Sequence, residues 1–238
     1  AGIVGANTGG AGGAAGAVGT AGAAIIVNTN GTINVTGTQA IDIGTISGTN
    51  ATVNASTLTG ALTVIGEAGN NTITGGSKAD TISAGDGQDT VTGGGGTDIF
   101  IFNTDLDAEL GTTTGSDANS VTDYSGDTLR IHDTLGNDVY GVAGLATLGA
   151  ATTTIGIDGN GLATFHVDDN TLTEKIASLV SDADVANNEL VIFNHASDTY
   201  VYGASDTTAA GDDFLIKLTG VTLTSINEQN TSGDFVIS

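Results

Sequence analysis

The stretch 66–101 constrains the fold of this chain more than any other. Written in nines it reads GEAGNNTIT, GGSKADTIS, AGDGQDTVT and GGGGTDIFI, four copies without a slip of register. Position one is Gly66, Gly75, Ala84 and Gly93, and position four is Gly69, Lys78, Gly87 and Gly96. Position six is Asn71, Asp80, Asp89 and Asp98, and position eight is Ile73, Ile82, Val91 and Phe100. So regular a repeat predicts stacked units, each covering the apolar face of the next. The glycine-rich first six residues of each unit can take the positive φ values that a tight turn requires. The last three, such as Thr81-Ile82-Ser83, alternate polar and apolar and suit a short strand with one inward side chain.

Stacked parallel strands lie about 4.8 Å apart, so matching turns bring their position-six carboxylates together. Two unit charges at that spacing repel by roughly 3.5 kcal/mol at an effective dielectric of about 20. A column of such carboxylates pushes the coil apart unless a cation lies between them. Turn carbonyls and carboxylates are hard oxygen donors, the set that Ca²⁺ prefers in flexible geometry. The ladder therefore reads as a calcium ladder; the other reading is a glycine-rich parallel roll with no metal.

A unit of the form G-G-x-G-x-D-x-apolar-x resembles the calcium-binding nonapeptide of the RTX (repeats-in-toxin) family of type I secreted proteins. The resemblance implies a right-handed parallel β-helix or β-roll in which one coil takes two nonapeptides and turns stack on alternate sides. Asn71 then faces Asp89 in one column and Asp80 faces Asp98 in the other. Two residues depart from the pattern. Asn71 replaces a carboxylate, which weakens its site although an amide oxygen can still ligate. Lys78 replaces a glycine and sets a cation beside the metal. A further unit in frame, 102–110, keeps Asp107 at position six without the glycines and reads as a closing cap that lends Asp107 to the column of Asp89. The segment 121–131, VTDYSGDTLRI, resembles the strand and turn that follow the repeats in serralysin-type secreted proteases, where acidic residues complete calcium sites; Asp123 and Asp127 are the matching residues, and a turn with solvated aspartates is the plainer alternative. The expected metal residues are thus Gly69, Asn71, Asp80, Asp86, Gly87, Asp89, Gly96, Asp98, Asp107, Asp123 and Asp127, for roughly two to five Ca²⁺ ions.

The rest of the 238-residue chain supports β structure. Hydrophobic residues make up 39%, with abundant Thr, Val and Ile, so the formal charge of −23 does not by itself signal disorder. That charge predicts repulsion from nucleic acid and anionic membranes. The chain has no cysteine, so a metal is a plausible staple where a disulfide is not available. It also has no methionine, which predicts a processed product or a piece of something longer. No apolar run approaches the length of a membrane span.

Three regions are expected: 1–65, a Gly/Ala-rich segment and parallel β-helix coils; 66–110, the calcium-binding roll; and 111–238, a β-rich C-terminal region with one helix. Residues 1–24 read either as a flexible linker or as small-residue coils at the edge of a solenoid. From Ile25 come IIVNT, TINVT, AIDIG, ATVNA and ALTVI, short strands that run into the repeats. The phrase 54–66, NASTLTGALTVIG, resembles segments that precede calcium repeats in bacterial surface-layer (S-layer) proteins. Further on, TTTIGIDG and LATFHVD predict strands joined by a turn at 158–161. A helix is predicted over 171–184, with Thr171 and Glu174 as a capping box and Leu172, Ile176, Leu179 and Val180 as its apolar stripe. ELVIFN (189–194) and DTYVYG (198–203) predict a hairpin turning at 195–197, followed by the strand DFLIKLTG (213–220). These phrases resemble the C-terminal regions of type I secreted RTX proteins. The last residues, GDFVIS, resemble an uncleaved C-terminal export signal, or are an ordinary strand.

Catalytic constellations are missing from the sequence: no H-E-x-x-H helix, no G-x-S-x-G elbow, no phosphate-binding loop. His132, His166 and His195 are scattered, and no enzyme activity is expected. The expected function is calcium-triggered folding and self-assembly of a secreted, S-layer-like surface protein after type I export. Its partners would be calcium, neighbouring copies in a lattice and the secretion machinery. The alternative is the calcium-binding secretion and folding module of an RTX protease, lipase or adhesin, including an ice-binding adhesin suggested by Thr72, Thr74 and Thr81.

Overall fold

The computed structural model describes residues 25–26, 31–47, 50–66, 68–103, 118–132, 155–158, 160–181, 189–204, 213–226 and 234–236. The expectations for residues 1–24 and for Asp107 lie outside them. Among the described residues the chain first builds eleven short strands. They are β1 (Ile25–Ile26), β2 (Thr32–Asn34), β3 (Ile41–Ser47), β4 (Thr52–Asn54), β5 (Leu62–Gly66), β6 (Thr72–Thr74), β7 (Thr81–Ser83), β8 (Thr90–Thr92), β9 (Ile99–Asn103), β10 (Asn119–Val121) and β11 (Thr128–His132). Odd strands hydrogen-bond in parallel in the order β1-β3-β5-β7-β9-β11, and even strands in the order β2-β4-β6-β8-β10. Each coil therefore contributes one strand to each of two sheets, which is a parallel β-roll, as the nonapeptide pattern predicts.

Strands of three residues leave one side chain facing in. On the even sheet the inward residues Ile33, Val53, Ile73, Val91 and Val121 stack in register, each at most 2% exposed. On the odd sheet Val64, Ile82, Phe100 and Leu129 do the same. These two ladders meet as one core. Outward positions of the even sheet carry Thr, Ser and Asn, whose branched or short side chains suit a solvated strand face, and those of the odd sheet also carry Ile65, Ile99, Ile101 and Arg130. The coils that precede the repeats are longer and less regular. In β3 the pairing with β5 slips between Asp42 and Thr45, where Gly44 takes φ +66° and its N–H donates to Asp42 Oδ1 at 2.8 Å.

The C-terminal region extends both sheets. The strands β12 (Ile155–Ile157) and β13 (Ala163–Phe165) form the predicted antiparallel pair, turned by Asp158. Asp158 Oδ1 accepts the N–H groups of Asn160 at 2.8 Å and Leu162 at 3.0 Å. The helix α1 spans Leu172–Ser181. Its capping box is formed: Glu174 N–H donates to Thr171 Oγ1 at 3.2 Å, and Thr171 N–H donates to Glu174 Oε2 at 2.8 Å. Residues 182–184 of the predicted helix lie outside the described residues.

The strands β14 (Glu189–His195) and β15 (Asp198–Ala204) pair antiparallel around Ala196-Ser197. The turn is one residue tighter than expected because His195 pairs with Asp198, and Ala196 takes φ +54° to close it. The strand β16 (Phe214–Leu218) pairs with β15 on one side and runs parallel to β10 on the other, carrying the even sheet from the roll into the hairpin. The inner face of this extension joins the roll's core through Ile192, Val201, Phe214 and Leu218. Its outer face, with Val191, Phe193, Tyr200, Tyr202 and Leu215, is covered by Ile176 and Leu179 of α1 and by the β12–β13 pair. The strand β17 (Asp234–Val236) adds antiparallel to β11 and ends the odd sheet.

Candidate metal centre

Each repeat turn lies at one of two edges of the roll, and the position-six side chains form a hydrogen-bonded ladder along each. At the first edge Asn71 Oδ1 accepts the N–H of Ala51 at 2.9 Å, Asp89 Oδ1 that of Asn71 at 2.7 Å, and Asn119 Oδ1 that of Asp89 at 2.7 Å. At the second edge Asp80 Oδ1 accepts from Leu62 N–H at 2.7 Å, Asp98 Oδ1 from Asp80 N–H at 2.8 Å, and Asp127 Oδ1 from Asp98 N–H at 2.8 Å. The expected columns, Asn71 with Asp89 and Asp80 with Asp98, are therefore both present. All six side chains are buried. A sequence offset of 18 residues separates partners inside the repeats, against 20 at Ala51 and 30 at Asn119.

Asp123 and Asp127 belong to the second edge. Asp123 Oδ1 and Oδ2 accept the N–H groups of Gly93 at 2.9 Å and Gly94 at 2.7 Å. Asp127 Oδ2 accepts Ser125 N–H at 2.9 Å, and the Tyr124 hydroxyl donates to the Asp127 carbonyl. The member of the first column after Asp89 is Asn119, which the sequence reading missed. Its signal was present: Ala118-Asn119-Ser120-Val121-Thr122 repeats the polar–polar–apolar rhythm of Gln88-Asp89-Thr90-Val91-Thr92 after a long insertion.

Position four behaves as its glycines require. Gly69, Gly87 and Gly96 take φ of +91°, +113° and +130°, which side chains disfavour. Lys78, at the same position, stays out of that region and is exposed, so the second turn follows a different path from the other three.

The electrostatics of the two edges differ. Burial pushes the Asp89 carboxyl up to about 8, opposed by the Asn71 hydrogen bonds and reinforced by the charge of Asp86. Burial raises Asp98 to about 6, against the hydrogen bond from Asp80, with Asp127, Asp80 and Asp123 adding repulsion. Asp80 and Asp86 are raised too, each chiefly by burial. Among the described residues two buried side-chain oxygens have no hydrogen-bond partner, Asp86 Oδ1 and Asp89 Oδ2, both in the third turn. An unpartnered anionic oxygen removed from water is costly, and a cation relieves it.

This donor set fits a calcium ion. Among the described residues no three acidic or imidazole side chains converge on one point. An ion held here would take most of its ligands from the carbonyls of the glycine-rich turns, which suits a hard cation and excludes a thiolate or imidazole site. Close stacking supports that reading. A Cβ added at Gly66 would strike the Ala84 carbonyl of the next coil, and one at Gly75 would strike that of Gly93.

Comparison with known proteins bears directly on these turns. No curated protein matches the chain. Residues 65–100 match the family model of the RTX calcium-binding nonapeptide repeat in 4 copies. The match spans the four repeat turns and the strands β6 to β9 that follow them, so this stretch of the chain carries calcium-binding nonapeptide repeats of the RTX type.

Proposed function

We propose that this chain is the calcium-ordered structural part of a secreted bacterial surface protein of S-layer type, and that it folds and self-associates after export. The observation that carries the reading is the pair of buried, unpartnered carboxylate oxygens at Asp86 and Asp89, the two such side-chain atoms among the described residues. Where calcium is scarce, repulsion among the buried carboxylates and the net charge of −23 oppose closure of the coils. Millimolar Ca²⁺ outside the cell supplies the missing ligand–metal bonds, and their free energy becomes folding free energy. Asp80, Asp86, Asp89, Asp98, Asp123 and Asp127, with turn carbonyls including those of Gly87 and Gly96, form the donor set for roughly two to five ions.

The sequence offers no catalytic constellation, which favours a structural role over an enzymatic one. Among the described residues no helix is long and apolar enough to cross a membrane. The polar, low-charge outer face of the even sheet, with Thr, Asn and Ser at its outward positions, suits side-by-side packing in a lattice. The test is a Ca²⁺ titration of the chelator-stripped chain followed by circular dichroism and light scattering. The reading expects β signal to rise with calcium and scattering to grow into ordered sheets. A rise in β signal with the protein still monomeric transfers the assignment to the secretion and folding module of a larger RTX protein. No response at millimolar calcium overturns both.

A further inference from the structure

Asn71 occupies the place in its ladder that Asp80, Asp89 and Asp98 occupy in theirs, yet its amide is turned in a telling way. The oxygen, Oδ1, is spent on Ala51 N–H at 2.9 Å. The nitrogen, Nδ2, points to the carbonyls of Gly69 at 3.0 Å and Ala84 at 3.4 Å, one from each of two stacked turns. The Asn71 side chain also hydrogen-bonds the Asp89 carboxylate. This orientation is fixed by chemistry, since the reverse would set an amide oxygen against two carbonyl oxygens and an N–H against an N–H. Two carbonyls from neighbouring turns and a carboxylate are oxygens that a Ca²⁺ ion would gather. Here an NH₂ group gathers them.

The third turn shows the opposite situation. It alone among the four repeats carries a carboxylate at position three, Asp86, where the others have Ala68, Ser77 and Gly95. Asp86 Oδ1 and Asp89 Oδ2 are both buried without a partner. Asp89 is only 1% exposed, and its ladder neighbours Asn71 and Asn119 are neutral. On the other edge, by contrast, both oxygens of Asp80, Asp123 and Asp127 already accept backbone N–H groups.

We infer that the first edge divides these tasks: the amide of Asn71 closes the gap between the first and third turns in place of a calcium ion, and Asp86 with Asp89 makes the third turn the tightest calcium site of the chain. The inference rests on the calcium reading above. An amide nitrogen brings two N–H donors and no need for metal, so this gap stays closed when calcium is withdrawn. The third turn brings two negative charges to one place, which a single divalent ion balances.

Isothermal titration of the full, chelator-stripped chain with CaCl₂ tests both halves. Asn71→Asp restores the position-six residue of the other three repeats and is expected to bind one more ion than the unaltered chain. Asp86→Asn places a neutral side chain where the other turns carry Ala, Ser or Gly, and is expected to weaken the tightest class by about tenfold or more, or abolish it. Both are measured with circular dichroism in saturating calcium, so that a variant that does not fold is recognised. Should Asn71→Asp fail to fold, the deletion variant Asn71→Ala replaces it and is expected to bind as many ions as the unaltered chain; one ion fewer overturns the role given to Asn71. An unchanged ion count in Asn71→Asp, or an unchanged tightest class in Asp86→Asn, likewise overturns the inference while leaving the calcium reading intact. If the unaltered chain binds no calcium, the reading itself falls.

Discussion

At the scale of single residues, Asp89 and Asp98 make a pH prediction with a definite sign. Both carboxyls have folded-state values above the ordinary 3.8, at about 8 and about 6, because burial disfavours the charged form. In the metal-free chain the unfolded state therefore loses these protons first as pH rises. The stability they contribute is full below about pH 4 and is lost as pH climbs through about 6 and then about 8. Urea denaturation of the calcium-free protein should show a higher midpoint near pH 4.5 than near pH 8, and a midpoint that rises with pH would contradict the burial of these groups. Saturating calcium should flatten or reverse the trend, because the metal favours the ionised carboxylate. Asp89→Ala is also expected to raise the calcium concentration needed for folding more than Asn71→Ala does, since of these two residues it is Asp89 that leaves a buried anionic oxygen unpartnered. Equal midpoints in parallel calcium titrations would count against that distinction.

At the scale of elements, the C-terminal sheet depends on tight packing that propensity does not reveal. Gly203 in β15 faces Phe214 of β16 so closely that an added Cβ would strike the ring. Gly203→Ala should cost about 1–3 kcal/mol, the range for overpacking a well-filled core, as read from the shift in a urea melt of the calcium-saturated protein. A neutral outcome would mean that the ring moves freely, which its 1% exposure argues against. The cap of α1 makes a milder case. Removing the hydroxyl in Thr171→Ala breaks its bond from Glu174 N–H and should cost about 1 kcal/mol, visible as an earlier loss of helix signal on heating.

At the scale of the whole molecule, the even sheet is continuous from β2 through β8, β10 and β16 to β14. The hairpin is therefore joined to the repeats through backbone hydrogen bonds and a shared core, not through a linker, and on the proposed function any order that calcium imposes on the repeats would reach it. Hydrogen exchange followed by mass spectrometry should show that chelation lowers protection in β14–β16 as well as in β6–β9. Loss of protection confined to the repeats would mean that the C-terminal sheet is stable by itself.

The sequence by itself determined the roll. The nine-residue period placed β6–β8 at their observed bounds and the start of β9, which runs two residues further than the unit, and the apolar–polar alternation placed the upstream strands and the inward ladder from Ile33 to Val91. The resemblance to RTX repeats, with two nonapeptides to a coil, also paired Asn71 with Asp89 and Asp80 with Asp98, because units one coil apart in a solenoid stack vertically. Local chemistry was enough for the capping box of α1 and for the hairpin, whose determinants lie within a few residues. Tertiary structure alone decided the rest. Asn119 entered the first ladder only because the chain returns to the same edge after a long insertion, which no fixed period encodes. The strand β16 joined β10 in parallel, with Ser120 opposite Lys217 and its hydroxyl bonded to that of Thr219, 99 residues on and just past the strand, bringing the C-terminal hairpin onto the roll. The unequal edges were hidden for the same reason. Spacing says which side chains stack, but which oxygens find an N–H and which are left for a cation depends on how each turn lies against its neighbour.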